Sequence, residues 1–289
     1  MTDLRPRRSV LYMPAANQRA LEKAKSIACD ALIFDLEDAV APDAKDAARI
    51  NAVAAASSGD YGNREITIRC NSLSTPWGAA DIAAAAKSCV SSVVIPKINN
   101  VNEVQAISDA LDAAGAPAGM NIWAMIETPE AIFNVRSIAA HPRVVVLVMG
   151  TNDLTKELRA KQVAGRAPLL SHLGTALLAA READKVILDG VYNDIKNTGG
   201  FLAECGQGAD MGFDGKTLIH PDQVDGANDA WAPSESEVEH ARRVIVAFDE
   251  ALAAGVGVVQ LDGRMIENLH VDNARRSIAI AEAIAALQN

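Results

Sequence analysis

The sequence predicts a (β/α)8 barrel, the TIM-barrel fold, with a C-terminal helical extension. Eight short apolar runs, rich in β-branched residues, alternate with helical patterns at a spacing of roughly thirty residues. Polar side chains collect at the carboxyl ends of these runs, which is the face on which barrel active sites are built. A doubly wound parallel sheet is the alternative fold, because it has the same alternation of strands and helices.

The composition fits a helix-covered parallel sheet and restricts the partners. Apolar residues make up 49% of the 289-residue chain but aromatic residues only 4%, so the core must consist of Ala, Val, Ile and Leu. The formal net charge of −10 argues against general nucleic-acid binding. No apolar run reaches membrane-spanning length, and the four cysteines lack disulfide or metal-ligand spacing. We therefore expect a cytoplasmic protein without nucleic-acid or membrane partners.

The first half of the chain predicts four strand–helix units. Strand 1 ends at Pro14, and Asn17 can cap the helix that follows. Strand 2 runs into an acidic cluster at residues 35–38, strand 3 ends at Arg69, and Pro96 marks the end of strand 4. The predicted strands are 9–13, 31–34, 65–68 and 92–95, and the predicted helices are 17–28, 43–56, 77–88 and 101–114.

The second half of the chain completes the barrel with four more strands. Strands 5 and 6, at 122–126 and 144–149, flank a helical segment and predict a βαβ unit with parallel strands. A helical region then runs from Asp153 to about residue 183, with a break near Gly165 and Pro168. Strands 7 and 8 are predicted at 185–188 and 216–219.

The tail lies outside the barrel pattern. It predicts a long helix at 234–254, a glycine-rich strand-like turn at 255–260 and a last helix from Val271. We therefore expect a barrel domain over residues 1–230 and an extension over residues 231–289. Such an extension can cover the mouth of its own barrel or that of a neighbouring subunit.

Two acidic residues occupy matching positions after successive strands. Glu127 follows strand 5 and Asp153 follows strand 6. Because neighbouring strands lie roughly 4.8 Å apart, both carboxylates can converge on one point. Mg²⁺ prefers one or two carboxylates together with water and substrate oxygens. The pair therefore predicts a metal site; the alternative is that Glu127 caps the next helix and Asp153 is an ordinary loop residue.

Further polar residues share the same position after the predicted strands. Their concentration at one end of the barrel favours an enzyme, since barrel enzymes take their catalytic residues from several strand ends. These residues are Asp35, Glu37, Asp38, Arg69, Lys97, Glu127, Asp153 and Asp194.

Five segments, in this order along the chain, carry a resemblance to a known family. They read RSVLYMP at 8–14, FDLEDAV at 34–40, IRCNS at 68–72, IET at 126–128, and GFDGK to IHP at 212–221. Together they resemble the citrate lyase β-subunit-like branch of the HpcH/HpaI aldolase/citrate lyase family. This branch includes malyl-CoA lyases, citramalyl-CoA lyases and malyl-CoA thioesterases, and the resemblance extends from Arg8 to the last helix.

The resemblance implies a site for Mg²⁺, with Mn²⁺ as an alternative metal. It assigns Glu127 and Asp153 as metal ligands and Arg69 as the residue that binds the acyl fragment, for which a planar guanidinium is suited. Glu37 and Asp38 would hold metal-bound water. The alternatives are an ion pair between Arg69 and the acidic cluster, which is compatible with substrate binding, and helix capping by Glu37 and Asp38.

The resemblance also implies a site for the CoA part of a thioester substrate. Tyr12, Arg19 and Lys23 correspond to residues at the nucleotide end, and the two basic residues are four apart on one helix face. A solvated basic face is the alternative explanation. Asp194 corresponds to a residue near the thioester, although residues 195–200 depart from the acidic pattern of the family.

The departure with the largest consequence is at Glu267, where the lyases of the family have an aspartate. That aspartate moves a proton at the carbon next to the thioester carbonyl and acts in a neighbouring subunit's barrel. Glu267 places its carboxylate one methylene further out, and a shift of about 1 Å can cost on the order of 10²-fold in rate. The longer side chain can instead activate water and favour hydrolysis. A helix-start residue without a catalytic role is the third possibility.

From these features we expect a Mg²⁺-dependent lyase that cleaves a short β-hydroxy-dicarboxylic acyl-CoA, such as malyl-CoA, to acetyl-CoA and a 2-oxo acid. The first alternative is a thioesterase that hydrolyses (3S)-malyl-CoA to malate and CoA. The second is a citrate lyase β-type subunit that acts only with an acyl-carrier partner. The resemblance further implies a homo-oligomer, a trimer or a hexamer.

Overall fold

The chain forms a closed barrel of eight parallel strands, which confirms the predicted fold and excludes the open doubly wound sheet. The computed structural model describes residues 5–288. Each strand pairs with the next along the chain, and β8 pairs with β1 to close the barrel. The strands are β1 (Ser9–Pro14), β2 (Ala31–Asp35), β3 (Glu65–Arg69), β4 (Ser92–Ile95), β5 (Asn121–Ile126), β6 (Val144–Met149), β7 (Val186–Asp189) and β8 (Gly215–Leu218).

Helices follow the strands and cover the outside of the sheet. Those of the barrel are α1 (Gln18–Ala24), α2 (Lys45–Ser57), α3 (Gly78–Ala85), α4 (Val101–Ala113), α5 (Pro129–Ala139), α6 (Thr151–Glu157), α7 (Leu170–Glu182), α8 (Thr198–Met211) and α9 (Val224–Ala230). The predicted break between α6 and α7 is present, with Gly165 at a φ of 74°. Helix α9 was absent from the sequence prediction.

Helix α1 ends four residues earlier than predicted, and a distant arginine provides the reason. Arg64 donates hydrogen bonds to the carbonyl oxygens of Ala24, Lys25 and Ile27 at distances of 2.5–2.7 Å. These carbonyls lie at or beyond the end of the helix and have no N–H partner four residues on. The guanidinium therefore binds the turn after Ala24 in place of another helical turn.

Side chains from alternate strand positions fill the barrel interior, as the period of two along a strand requires. Trp123 is its largest fully buried member. The interior cluster consists of Val10, Ala31, Ile33, Val94, Trp123, Met125, Val146, Val148 and Leu188. Apart from Trp123 and Met125 it is built from small and branched residues, in agreement with the low aromatic content of the chain.

The described residues separate into two compact units, one of residues 7–230 and one of residues 231–288 together with 5–6. Residues 1–4 and 289 of the predicted regions lie outside the described residues. The second unit contains α10 (Glu235–Ala253), an antiparallel hairpin of β9 (Val259–Leu261) and β10 (Arg264–Ile266), and α11 (Asn268–Gln288). It has its own apolar cluster, of Ala241, Val244, Phe248, Ile266, Val271 and Ala274.

Helix α10 begins where the sequence predicted a helix start. The side chain of Ser234 accepts a hydrogen bond from the backbone N–H of Glu237, and Glu237 accepts one from the backbone N–H of Ser234. This reciprocal pair is a capping box, which satisfies two free N–H groups at the helix start. Across the described residues, no helix combines the length and the apolar character that crossing a membrane would require.

We predict that Gly215→Ala destabilises the barrel at the seam between β8 and β1. A Cβ at this position would lie 1.8 Å from the carbonyl oxygen of Arg7, which is backbone and cannot rotate away. Overpacking of this kind costs about 1–3 kcal/mol in the free energy of unfolding, measured by urea denaturation. Gly119→Ala is the matched control, because a Cβ there meets no atom within 4 Å, and it should stay within about 0.5 kcal/mol of wild type. Equal unfolding midpoints for both variants would contradict the close approach at the seam.

Candidate active site

Arg69 occupies the centre of the polar cluster at the barrel mouth. The pairing of β2 with β3 makes Asp35 and Arg69 direct register partners at the strand ends. Arg69 donates from Nε and Nη2 to the two carboxylate oxygens of Asp35, both at 2.6 Å, and its Nη1 lies 2.8 Å from Oε2 of Glu37. The predicted ion pair between Arg69 and the acidic cluster is therefore present. Burial opposes the charge of Arg69, but Asp35 and the other acidic neighbours keep the pKa raised.

Two further side chains enclose the guanidinium. Its carbon lies 4.7 Å from the centre of the Tyr12 ring, a cation–π contact, and Nη1 lies 3.9 Å from the sulfur of Met125. The Tyr12 hydroxyl also points to this sulfur, at 4.0 Å. Burial raises the pKa of Tyr12, and Arg69 partly offsets this effect. Tyr12 thus contacts Arg69 at the barrel mouth, whereas the resemblance assigned it to the nucleotide end of CoA.

Glu127 follows β5 and is almost fully buried, with 2% of its surface exposed. Its Oε1 accepts a 2.7 Å hydrogen bond from the backbone N–H of Lys97. The pairing of Ile126 with Met149 sets Glu127 against Gly150, where a Cβ would lie 2.3 Å from both Cβ and Oε2 of Glu127. A glycine is therefore required at position 150 to leave room for this carboxylate.

The surroundings of Glu127 disfavour its negative charge. Burial and the neighbouring carboxylate of Asp153 raise the pKa of Glu127 from an ordinary 4.5 to about 7. Asp153 lies in the first turn of α6, and this helix begins directly after Gly150. The two carboxylates that the sequence paired are thus close enough to repel each other.

Lys97 is a second cation beside the acidic residues at the mouth. Its Nζ lies 3.5 Å from Oε1 of Glu37 and 3.7 Å from Oδ1 of Asp153. Burial works against the charge of Lys97, but the surrounding carboxylates give it a raised pKa. Burial also raises the pKa of Glu37, against the effect of Arg69, while Asp38 is exposed beside it.

The donor set suits a hard divalent cation. In residues 5–288 no group of three or more acidic, histidine or cysteine side chains has metal-binding geometry, so the candidate ligands are the carboxylates of Glu127 and Asp153. Mg²⁺ accepts one or two carboxylates and completes its shell with water and substrate oxygens. A bound cation would offset the burial and the repulsion from Asp153 that raise the pKa of Glu127, and the two carboxylates therefore fit Mg²⁺ or Mn²⁺.

The other residues assigned to CoA, namely Arg19, Lys23 and Asp194, lie on other parts of the barrel unit. Arg19 and Lys23 are both exposed on α1, one helical turn apart. Asp194 is exposed in the loop between β7 and α8, and it lines a cavity of about 440 Å³. The cavity is bounded by the start of α6, the α6–α7 connection and the start of α8. These residues are available for a ligand that extends away from the metal site.

Glu267 belongs to the C-terminal unit. It lies between β10 and α11, is half-buried, and its backbone N–H donates a 3.0 Å hydrogen bond to Nδ1 of His270. Glu267, for which the resemblance implies a catalytic role, is therefore not part of the barrel unit.

A buried charge network below the mouth was not identified from the sequence. Asp189, at the end of β7, accepts hydrogen bonds from Nη1 of Arg166 at 2.6 Å and 2.8 Å and from Nζ of Lys216 at 2.9 Å. Lys216 also donates to Glu204 at 2.7 Å. A lysine within a strand pattern and an aspartate ending an apolar run are signals for such a pair, because buried charges require partners.

We predict that Glu127 makes the metal-free protein less stable as the pH rises from about 4.5 to 7. In this range the folded chain binds more protons than the unfolded chain, because the folded pKa of Glu127 is about 7, so the free energy of unfolding falls with pH. Glu127→Gln cannot titrate and should remove part of this slope in urea denaturation with chelator present.

The matched control is Glu130→Gln, the same substitution at an exposed residue in the next helix. It should keep the slope of the wild-type protein. A Glu127→Gln variant with an unchanged slope would show that this carboxyl group binds protons equally in the folded and unfolded states, and that its pKa is not raised by folding.

The chain is similar to known proteins over most of its length. The HpcH/HpaI aldolase/citrate lyase profile matches residues 8–221. The chain is 49% identical to a (3S)-malyl-CoA thioesterase from Cereibacter sphaeroides, over 97% of this chain and 96% of that protein. It is 36% identical to the citrate lyase subunit beta of Escherichia coli, over 96% and 94%.

A solved structure shares both the fold and most of the length. CitE from Mycobacterium tuberculosis, crystallised with magnesium, acetoacetate and coenzyme A, superposes with a TM-score of 0.77 at 27% identity. The match covers 95% of this chain and 97% of CitE. The barrel has acidic strand ends, the profile matches most of the chain, and the relatives are of nearly equal length. The chain therefore belongs to the HpcH/HpaI aldolase/citrate lyase family.

Proposed function

We propose that the protein is a Mg²⁺-dependent enzyme that hydrolyses the thioester of a short β-hydroxy-dicarboxylic acyl-CoA, such as (3S)-malyl-CoA, to the free acid and CoA. The observation that carries this proposal is the 49% identity to a (3S)-malyl-CoA thioesterase over nearly the whole of both chains. The cluster of Arg69, Glu127 and Asp153 at the barrel mouth supplies groups that suit such a substrate.

Glu127 and Asp153 would hold the metal. Bound there, Mg²⁺ would supply Lewis-acid polarisation of a substrate oxygen and would orient the acyl group. The related CitE from Mycobacterium tuberculosis was crystallised with magnesium, which supports the same cofactor here. Mn²⁺ has similar ligand preferences and remains the alternative metal.

Arg69 would bind oxygen atoms of the acyl fragment. A guanidinium has five N–H donors; Asp35 accepts two of them, and Glu37 lies within ion-pair distance of Nη1. The remaining N–H groups are proposed to bind the carboxylate or hydroxyl of the substrate. Because Asp35 accepts from Nε and Nη2 along one edge of the guanidinium, Arg69 would be oriented before the substrate arrives.

The CoA part would extend towards α1 and the β7–α8 loop. Arg19 and Lys23 are exposed and suited to phosphate groups. The cavity beside Asp194 is lined by Asn152, Gln162 and Asn193, which hydrogen bond to one another. Neutral amide side chains match the amide groups of the pantetheine arm, since each provides both donors and acceptors.

Glu267 would act as the general base, from its own chain or from a neighbouring subunit in a trimer or hexamer. It would remove a proton from water, the water oxygen would add to the thioester carbonyl, and the carbon–sulfur bond would break. The leaving sulfur would take up the proton as the free thiol of CoA. Glu37 and Asp38 are proposed to hold water near the metal.

A lyase reaction at the same site is the second candidate, supported by the 36% identity to citrate lyase subunit beta. Glu267 would then protonate the carbon next to the thioester carbonyl while the neighbouring carbon–carbon bond breaks. The products would be acetyl-CoA and a 2-oxo acid such as glyoxylate. A requirement for an acyl-carrier partner would make the protein a citrate lyase β-type subunit.

We predict that the purified chain with Mg²⁺ releases free thiol from (3S)-malyl-CoA without forming a 2-oxo acid. The measurement follows thiol and oxo acid separately in the same reaction. A 2-oxo acid without thiol would replace hydrolysis by the lyase reaction. If the chain forms neither product from free CoA esters but turns over an acyl-carrier thioester, the result would favour the complex-bound subunit.

We predict that Glu267→Gln lowers kcat by about 10²- to 10⁴-fold, because it removes the general base. Glu267→Asp retracts the carboxylate by about 1 Å and should lower hydrolysis on the order of 10²-fold, with any gain of oxo acid measured alongside. Glu282→Gln, at an exposed position of α11 in the same unit, is the control and should keep wild-type activity.

Mixing two inactive variants tests whether Glu267 acts in the barrel of a neighbouring subunit. If Glu267 acts on a neighbouring barrel, mixing subunits of Arg69→Ala with those of Glu267→Gln should restore activity, because mixed oligomers contain intact sites. Activity that stays absent in mixed oligomers would assign Glu267 to its own chain. A fully active monomer by light scattering would also exclude sharing.

A further inference from the structure

Lys97 has a backbone conformation that is unusual for a lysine. It stands two residues after the end of β4 with a φ of 52°, in the left-handed region that favours glycine. In this conformation its backbone N–H donates to Oε1 of Glu127 at 2.7 Å. The residue is therefore held in a strained conformation where its main chain fixes a buried carboxylate.

The side chain of Lys97 extends into the same acidic cluster. Its ammonium lies 3.5 Å from Glu37, which follows β2, and 3.7 Å from Asp153, which follows β6. A positive charge at this point reduces the repulsion among carboxylates that are brought together by the barrel. A glycine would tolerate the backbone conformation more easily, but it would leave these carboxylates without the ammonium.

The ammonium is able to leave this position. The side chain of Lys97 is 44% exposed, and both ion pairs are longer than the 2.6 Å contacts that Arg69 makes. A lysine carries a compact charge on a flexible four-carbon chain, whereas the guanidinium of Arg69 is held on both edges. The two cations of the cluster therefore differ: Arg69 is fixed and Lys97 is displaceable.

We propose that Lys97 is a positioning residue of the metal site: its N–H fixes Glu127, and its ammonium holds Glu37 and Asp153 in place as a stand-in cation that the divalent metal displaces. The inference rests on the proposed function, because it assigns the metal to Glu127 and Asp153. It adds a role for Lys97 in the metal-free protein, before substrate and metal are present.

The test uses the full-length, metal-free protein and Mg²⁺ alone. Lys97→Met keeps the backbone N–H and the length of the side chain but removes the charge. Because the metal no longer competes with an ammonium, the Kd for Mg²⁺ in calorimetric titration should fall on the order of tenfold. The titration is made at a pH of about 8.5, so that Glu127 is largely ionised.

A second readout separates this role from simple structural support. The Tm of metal-free Lys97→Met should lie below that of wild type, and saturating Mg²⁺ should abolish the difference. Lys97→Arg retains the charge and should restore both the Kd and the Tm to near wild type. Lys87→Met removes the same charge from an exposed residue before β4 and should change neither.

Three results would overturn the inference. The first is a Kd for Lys97→Met that is unchanged or higher, while the separate variant Glu127→Gln abolishes Mg²⁺ binding. This pair of results would exclude the stand-in role of Lys97 and leave the metal site intact. A Tm deficit that persists in saturating Mg²⁺ would reduce Lys97 to a structural residue. A wild-type chain that binds no Mg²⁺ would remove the metal site of the proposed function, and the role of Lys97 with it.

Discussion

The paired side chains of Asp35 and Arg69 are the interaction on which the rest of the site depends. They are register partners at the ends of β2 and β3, and the guanidinium donates to both oxygens of the carboxylate. Removing one partner of such a buried pair costs about 3–5 kcal/mol, since the other charge is left without compensation. The pair fixes the position of Arg69, and Arg69 in turn lies against Tyr12 and Glu37. The pairing of β2 with β3 and the geometry of the site are thus coupled at two adjacent strand ends.

The balance of charge at the mouth explains why the site suits a divalent cation. The carboxylates of Asp35, Glu37, Glu127 and Asp153 face only the two cations Arg69 and Lys97 within this cluster. Negative charge is therefore in excess, and repulsion from Asp153 adds to burial, the main cause, in raising the pKa of Glu127. Without metal, a proton on Glu127 relieves part of the repulsion. A divalent cation would neutralise the whole of it, and the proton and the metal therefore compete for the same carboxylate.

The sequence was sufficient for the barrel and for the members of this cluster, because both depend on local patterns. Apolar runs at regular spacing predicted the strands, and parallel strands bring their carboxyl ends to one face. The contacts among distant residues were not predictable in the same way. Arg64 ends α1 from forty residues away along the chain, and Arg166 reaches Asp189 from an irregular connection. The left-handed backbone of Lys97 also has no local signal, since lysine gives no indication of it.

The division of the chain into two units bears on which reaction the protein performs. The barrel unit holds the candidate ligands Glu127 and Asp153 and also Arg69, the proposed binding residue for the acyl group, and these residues would suit hydrolysis and carbon–carbon cleavage alike. The two reactions differ in which atom exchanges a proton, a water oxygen or the carbon next to the carbonyl. That step is assigned to Glu267, in a separate compact unit. On the proposed role of Glu267, a change of one methylene in this side chain would redirect the chemistry while the barrel stays the same, in keeping with the rule that function resides in sites and not in folds.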